Sequence, residues 1–368
     1  MAHELTVAFR HRYADGVVVS AELRHPLDAG RVVVLFGPSG VGKTTVLRAI
    51  AGLLRPTGGR ILFGDRIWTD TAAGVFVPPQ QRGIGYVAQE SALFPHLTVR
   101  DNVEFGLRAL PGGDRRRRAA ELVDLLGLSA FADRLPREVS GGQAQRVSLA
   151  RAVAARPPVL LLDEPFGALD AATRRLIREE LRGLLRREGT AALLVTHDRH
   201  DAMAAGDDIA VMIGGRIRQV GPVSEVFRHP ADADVARAVG VETVIDAVVR
   251  DASGGLVRVA AGRAELAAVS VDDRPLGRGD RVLACIRAED VTVEKQTAPQ
   301  PPGSARNHLH GIITRIDREG AVDRLTLDCG VEIVAAITSR SREELGFEPG
   351  TAAVAAIKAT AIHLLHKA

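Results

Sequence analysis

Gly37-Pro38-Ser39-Gly40-Val41-Gly42-Lys43-Thr44 stands directly between an apolar run, Val32 to Phe36, and a helical stretch, Thr45 to Ala51. An apolar run that breaks at glycines and reopens as a helix requires a strand–loop–helix unit. The glycines let backbone N–H groups converge at a helix N-terminus, where the partial positive charge favours anions. Spacing and context both fit the phosphate-binding loop G-x-x-x-x-G-K-[ST]. Residues Gly37, Pro38, Ser39, Gly40, Val41, Gly42, Lys43, Thr44 and Thr45 are therefore expected to bind the phosphates of a nucleotide. Lys43 would reach the β and γ phosphates, and Thr44 would hold Mg²⁺.

Other short apolar runs, Val159 to Leu162 and Ala192 to Thr196, alternate with helical stretches from Leu5 to about Arg228. That texture predicts a parallel sheet buried on both faces. Between Asn102 and Val139 the strand signal gives way to a helical pattern, so a helical insert is expected over about residues 90–155. Arg115 to Arg118 lie within it and read as a solvated helix face. A chain of 368 residues exceeds one average core. After about Gly240 it turns to short alternating segments between Gly- and Asp-rich turns, the pattern of a small β-barrel. The polar, proline-rich stretch Gln296 to Gly303 divides that region. The expected domains are a nucleotide-binding domain over 1–235, a barrel-like segment over 241–295 and a second over 304–366.

Composition narrows the function. Charge is nearly balanced, 48 basic residues against 45 acidic, which argues against a nucleic-acid partner. No apolar run approaches the roughly 20 residues of a membrane span, and no signal-peptide pattern opens the chain, so a cytoplasmic protein is expected. Cys285 and Cys329 lie in apolar strand-like runs without ligand spacing and read as free thiols. Only four residues are lysines, Lys43, Lys295, Lys358 and Lys367.

Val159-Leu160-Leu161-Leu162-Asp163-Glu164 is an apolar strand ending in two carboxylates. The strand would deliver Asp163 beside the phosphates, where it can hold Mg²⁺, and Glu164 could polarise the attacking water.

Val139-Ser140-Gly141-Gly142-Gln143, ahead of the helical run Ala144 to Ala154, resembles the signature of the ATP-binding-cassette (ABC) family, with Val139 where the family usually has Leu. Other family elements follow in order. Gln89 stands in the Q-loop, Gly167-Ala168-Leu169-Asp170 in the D-loop, and His197 at the switch position after the strand Ala192 to Thr196. Tyr13 is placed to stack on adenine. The resemblance spans residues 1 to about 230. It implies an α/β P-loop NTPase with a helical subdomain, ATP and Mg²⁺ as ligands, and a homodimer with two ATP between facing cassettes. It further implies that Glu164, His197 and Gln89 are catalytic, that Thr44, Gln89 and Asp163 serve Mg²⁺, and that Ser140, Gly141, Gly142, Gln143 and Asp170 contact nucleotide.

Val77-Pro78-Pro79-Gln80-Gln81-Arg82 and Leu93-Phe94-Pro95-His96-Leu97-Thr98-Val99 are shared broadly among bacterial importers, although Ala88 stands where Phe is common. The tail segments Ser304-Ala305-Arg306-Asn307, Glu343 to Gly350 and Lys358-Ala359-Thr360 resemble the molybdate-binding (Mop) domain, an OB-like barrel also grouped as TOBE. Ser304, Arg306 and Lys358 could supply the hydroxyl and cations that a tetrahedral oxyanion needs. The resemblance implies the ATPase of a molybdate or tungstate importer, peripheral on the cytoplasmic face of the inner membrane. Its partners would be two permease subunits and, indirectly, an extracytoplasmic binding protein. Alternatives are another cargo (sulfate, ferric iron, polyamine or sugar), a non-transport cassette ATPase, an oxyanion sensor, or a tail that is scaffold only.

Overall fold

Six strands carry the phosphate loop's framework, in the order Arg216–Pro222, Asp208–Ile213, Val32–Phe36, Ala191–Thr196, Val159–Asp163, Gly85–Val87. All neighbours are parallel except the first pair. Val32–Phe36, Val159–Asp163 and Ala191–Thr196 are buried at every position, which is why they read as unbroken apolar runs. Because these three strands lie side by side and parallel, the segments that follow them (37–44, 164–170 and 197–198) open on one edge of the sheet. The computed structural model describes residues 3–108, 110–167, 169–269, 276–296 and 303–367. They form two compact units, Met1–Val226 and Phe227–Ala368.

The first unit adds an antiparallel five-stranded sheet, ordered Val18–Leu27, His3–Arg12, Gly58–Phe63, Arg66–Asp70, Val75–Phe76. Leu5, Val7, Phe9 and Trp68 from this sheet share a core with Val33, Leu35, Val46 and Leu47. The helical stretch contains helices Val99–Phe105, Gly112–Leu125 and Gly141–Val153 around a separate core that includes Val103, Leu122, Leu126 and Val147. Among the described residues no helix is long and apolar enough to cross a membrane.

Arg82 joins the two sheets' territories. Its side chain is 1% exposed and makes five hydrogen bonds: Nε to the Val77 carbonyl, Nη1 to those of Ala49 and Ile50, Nη2 to Trp68 O and Thr69 Oγ1. Ala49 and Ile50 end the helix that follows the phosphate loop, so the guanidinium caps that helix's C-terminus. Burial lowers its pKa to about 10. Arg82→Met is expected to cost about 2–5 kcal/mol, because the Ile50 and Val77 carbonyls would lose a buried partner. Denaturation followed by Trp68 fluorescence measures this; a loss below about 0.5 kcal/mol would show that those carbonyls find other partners.

The second unit holds two five-stranded antiparallel sheets. One runs Ala264–Val269, Leu256–Ala261, Thr243–Ser253, Arg281–Ile286, His363–His366; the other runs Val291–Lys295, Ala352–Ile357, Asn307–Glu319, Val322–Asp328, Glu332–Thr338. The two segments repeat one plan and exchange their last strands. Val291–Lys295 pairs with Ala352–Ile357, and His363–His366 pairs with Arg281–Ile286. Each exchange follows a 3-10 turn, Ala288–Asp290 or Ala359–Ala361. The 241–295 and 304–366 segments share one core containing Val259, Leu266, Ile286, Ile313, Leu327 and Ile357. Asn307 ties them further, accepting from Ala267 N at 2.6 Å and donating to the Ala267 and Ile357 carbonyls. Residues 297–302 of the dividing stretch lie outside the described residues. Both cysteines are free; burial raises the Cys285 thiol to about 12 and the Cys329 thiol to about 11.

Candidate active site

The helix Lys43–Ala51 begins at Gly42, which has φ +103° and provides no side-chain cap. Its first N–H groups are therefore left for an anion. A Cβ on Gly42 would stand 2.7 Å from Val19 Cγ2, so the packing as well as the backbone requires glycine here. Lys43 is 5% exposed and folds back over the loop, donating from Nζ to the Gly37 and Pro38 carbonyls, each at 2.8 Å. Burial lowers its pKa, while the charges of Glu164 and Asp163 oppose that shift. The ammonium is thus held by two carbonyls that an incoming phosphate can replace.

Thr44 Oγ1 donates to Asp163 Oδ1 at 2.9 Å. Asp163 is 3% exposed, and burial pushes its carboxyl up against the opposing Thr44 hydrogen bond. Glu164, next along, has φ +45°, a left-handed conformation that is costly for a side chain with a Cβ. Its N–H is pinned to the Val195 carbonyl at 3.0 Å. That backbone turn swings the carboxylate toward the neighbouring strand's end, where Oε1 lies 3.1 Å from His197 Nδ1. The three groups expected from three separate stretches of sequence, Asp163, Glu164 and His197, therefore stand around the phosphate loop.

Tyr13 is also brought there, its hydroxyl 2.8 Å from Thr45 Oγ1 and its ring edge-on to His11. Gln89 is exposed two residues beyond the strand Gly85–Val87. Ser140 caps the helix Gly141–Val153 in a reciprocal box with Gln143. A Cβ on Gly142 would lie 2.8 Å from Thr173 Cγ2. Among the described residues the 140–143 turn shares no hydrogen bond with residues 37–44 or 163–164. Asp170 caps the helix Ala171–Glu188, accepting from Ala172 N and Thr173 N, and the Thr173 hydroxyl with these N–H groups holds its carboxyl low. Ala168 lies outside the described residues. One residue of the site was missed in the sequence: Tyr86, whose hydroxyl donates to Asp163 Oδ2 at 3.5 Å. Burial raises that phenol to about 12. Tyr86 sits beside Leu161 in register, an adjacency set by strand order, which no local pattern announces.

In the tail, Ser304 and Lys358 line one cavity of about 510 Å³, together with Glu289, Asp290 and Glu294. Arg306 is exposed and does not line it. Three carboxylates beside a single lysine disfavour a dianion at that place within one chain.

The family model described as ABC transporter matches residues 21–167, and the TOBE domain model matches residues 303–364. The molybdate/tungstate import ATP-binding protein WtpC of Pyrococcus horikoshii is 37% identical over 346 residues, 93% of this chain and 94% of that protein. The chain belongs to the ABC transporter family. The trehalose/maltose import ATP-binding protein MalK of Thermococcus litoralis is 39% identical over 341 residues, 90% of each chain. The molybdenum import ATP-binding protein ModC of Mycobacterium tuberculosis is 39% identical over 357 residues, 93% of each. A solved ATP-binding cassette, described as dimeric in a post-hydrolysis state with ADP and Pi, matches with TM-score 0.50 and 32% identity over 61% of this chain and 99% of that one. The ABC protein is thus an α/β P-loop NTPase with a helical subdomain and a TOBE-type β-barrel tail, and it hydrolyses ATP in the service of transport.

Proposed function

We propose that this ABC protein is the ATP-hydrolysing subunit of a molybdate or tungstate importer. The observation that carries the cargo is the match to WtpC over 93% of the chain, which runs through the tail as well as the cassette. In this reading the cassette, expected over residues 1–235, works as a homodimer beneath two permease subunits on the cytoplasmic face of the membrane. An extracytoplasmic binding protein delivers the oxyanion, and no nucleic acid takes part.

The donor set at the loop, a threonine hydroxyl and a buried carboxylate 2.9 Å apart, suits a hard cation with oxygen ligands. Thr44, Asp163 and Gln89 would hold Mg²⁺, which supplies charge neutralisation on the phosphates. The chain's own residues do the remainder. Lys43 and the loop N–H groups bind the phosphates, and Tyr13 stacks on the base. Glu164 takes a proton from the attacking water, while His197 fixes the carboxylate and faces the γ-phosphate. Ser140, Gly141, Gly142 and Gln143 complete the site of the facing subunit, with Asp170 at the seam. Closure on ATP and reopening after hydrolysis switch the permease between outward and inward access.

The full-length similarity to MalK keeps a sugar cargo as the second reading. Uptake of labelled molybdate and maltose by vesicles carrying the cognate permease separates the two. Molybdate uptake that requires ATP and ignores excess maltose is expected. ATP-driven maltose uptake with none of molybdate would replace the first reading with the second.

A further inference from the structure

The second unit contains another cavity, of about 500 Å³, which shares Asp290, Lys358 and Ala361 with the Ser304 pocket. Arg228, Arg287, Lys358, His229 and His363 line it against one carboxylate, Asp290. Its balance is therefore opposite to that of the Ser304 pocket.

Two of the cations come from equivalent places in the repeat. Arg287 precedes the 3-10 turn Ala288–Asp290, and Lys358 precedes the turn Ala359–Ala361. The strand exchange brings both turns to the same cavity. Arg287 Nη2 is buried without a hydrogen-bond partner, and its Nη1 approaches Glu289 only at 3.6 Å. A buried N–H with no partner is costly unless something fills its place. Arg228 and Lys358 are exposed and form no ion pair with any described residue. Burial raises the Asp290 carboxyl, so the acidic group in the lining is less readily charged than an ordinary aspartate, and the other carboxylate near the cations, Glu289, pairs with Arg287 from outside the lining. The volume lies in the range of small-molecule pockets and well exceeds one tetrahedral ion, and Val241 and Ile362 give it an apolar wall.

We propose that this cavity binds the dianionic tetrahedral head of a small molecule, free or carried as a phosphate monoester, through Arg228, Arg287 and Lys358. The proposal does not rest on the cargo reading above, and Arg228 and Arg287 line this cavity but not the Ser304 pocket.

Calorimetry on the full chain, with ADP saturating the phosphate loop, tests it with inorganic phosphate, molybdate and glucose 6-phosphate. At least one probe is expected to bind. Tighter binding of the monoester would assign the ligand to an organic phosphate; equal or tighter binding of the inorganic ions would assign it to a free oxyanion. Arg228→Gln and Arg287→Gln should each weaken binding about 10- to 100-fold, the scale of one charge-assisted hydrogen bond. Ser304→Ala should leave it within about twofold. Arg228 is exposed, so its variant keeps the core even if Arg287→Gln does not. No heat with any probe overturns the proposal, as does binding that Ser304→Ala weakens and Arg228→Gln does not.

Discussion

Glu164→Gln is expected to lower steady-state ATP hydrolysis by at least about 100-fold and to leave ATP affinity nearly unchanged, since a general base contributes about 10²–10⁴-fold. The substitution preserves shape, the Val195 hydrogen bond and an oxygen for His197, and glutamine meets the same left-handed backbone at no greater cost than glutamate. What it removes is the ability to accept a proton. Lys43 and the helix N-terminus, which hold the phosphates, do not depend on it. The variant should therefore accumulate as an ATP-bound dimer, visible by size-exclusion chromatography with ATP and absent with ADP. Turnover within about threefold of the parent protein would remove Glu164 from its role.

Ser140→Arg and Lys43→Ala should each abolish hydrolysis alone and restore part of it when mixed. If each ATP is held by the loop of one chain and the 140–143 turn of the other, a mixed dimer keeps one intact site of two. Random pairing then gives about a quarter of parental activity when sites act independently, or none if both must fire together. A single-chain site would leave every site in the mixture broken. A covalently linked mixed dimer that also carries Glu164→Gln in both halves separates the two readings: one ATP per dimer retained through gel filtration supports the shared site, and none retained contradicts it.

The cassette was legible because its chemistry is local. A glycine loop between strand and helix and a two-acid strand end each announce themselves within a few residues, and parallel packing makes the strands unbroken apolar runs. What stayed hidden depends on neighbours distant along the chain. Tyr86 reaches Asp163 only because Gly85–Val87 lies beside Val159–Asp163, and Arg82 looks like a surface arginine until the carbonyls of Ile50 and Trp68 surround it. In the tail the repeat leaves a faint trace, Ile286-Arg287-Ala288 against Ile357-Lys358-Ala359. The exchange of last strands leaves no trace at all, because a strand's partner is not written in its own residues.

That exchange limits how the tail can be shortened or divided. A chain ending at Gln296 would keep the strand Val291–Lys295 without the Ala352–Ile357 strand it pairs with, and would deprive Arg281–Ile286 of its outer neighbour. A fragment beginning at Gly303 would suffer the mirror-image loss. Either half alone would therefore leave open strand edges that the other half covers in the whole tail. A chain nicked between the halves would still travel as one particle, held by the two exchanged strands and the shared core.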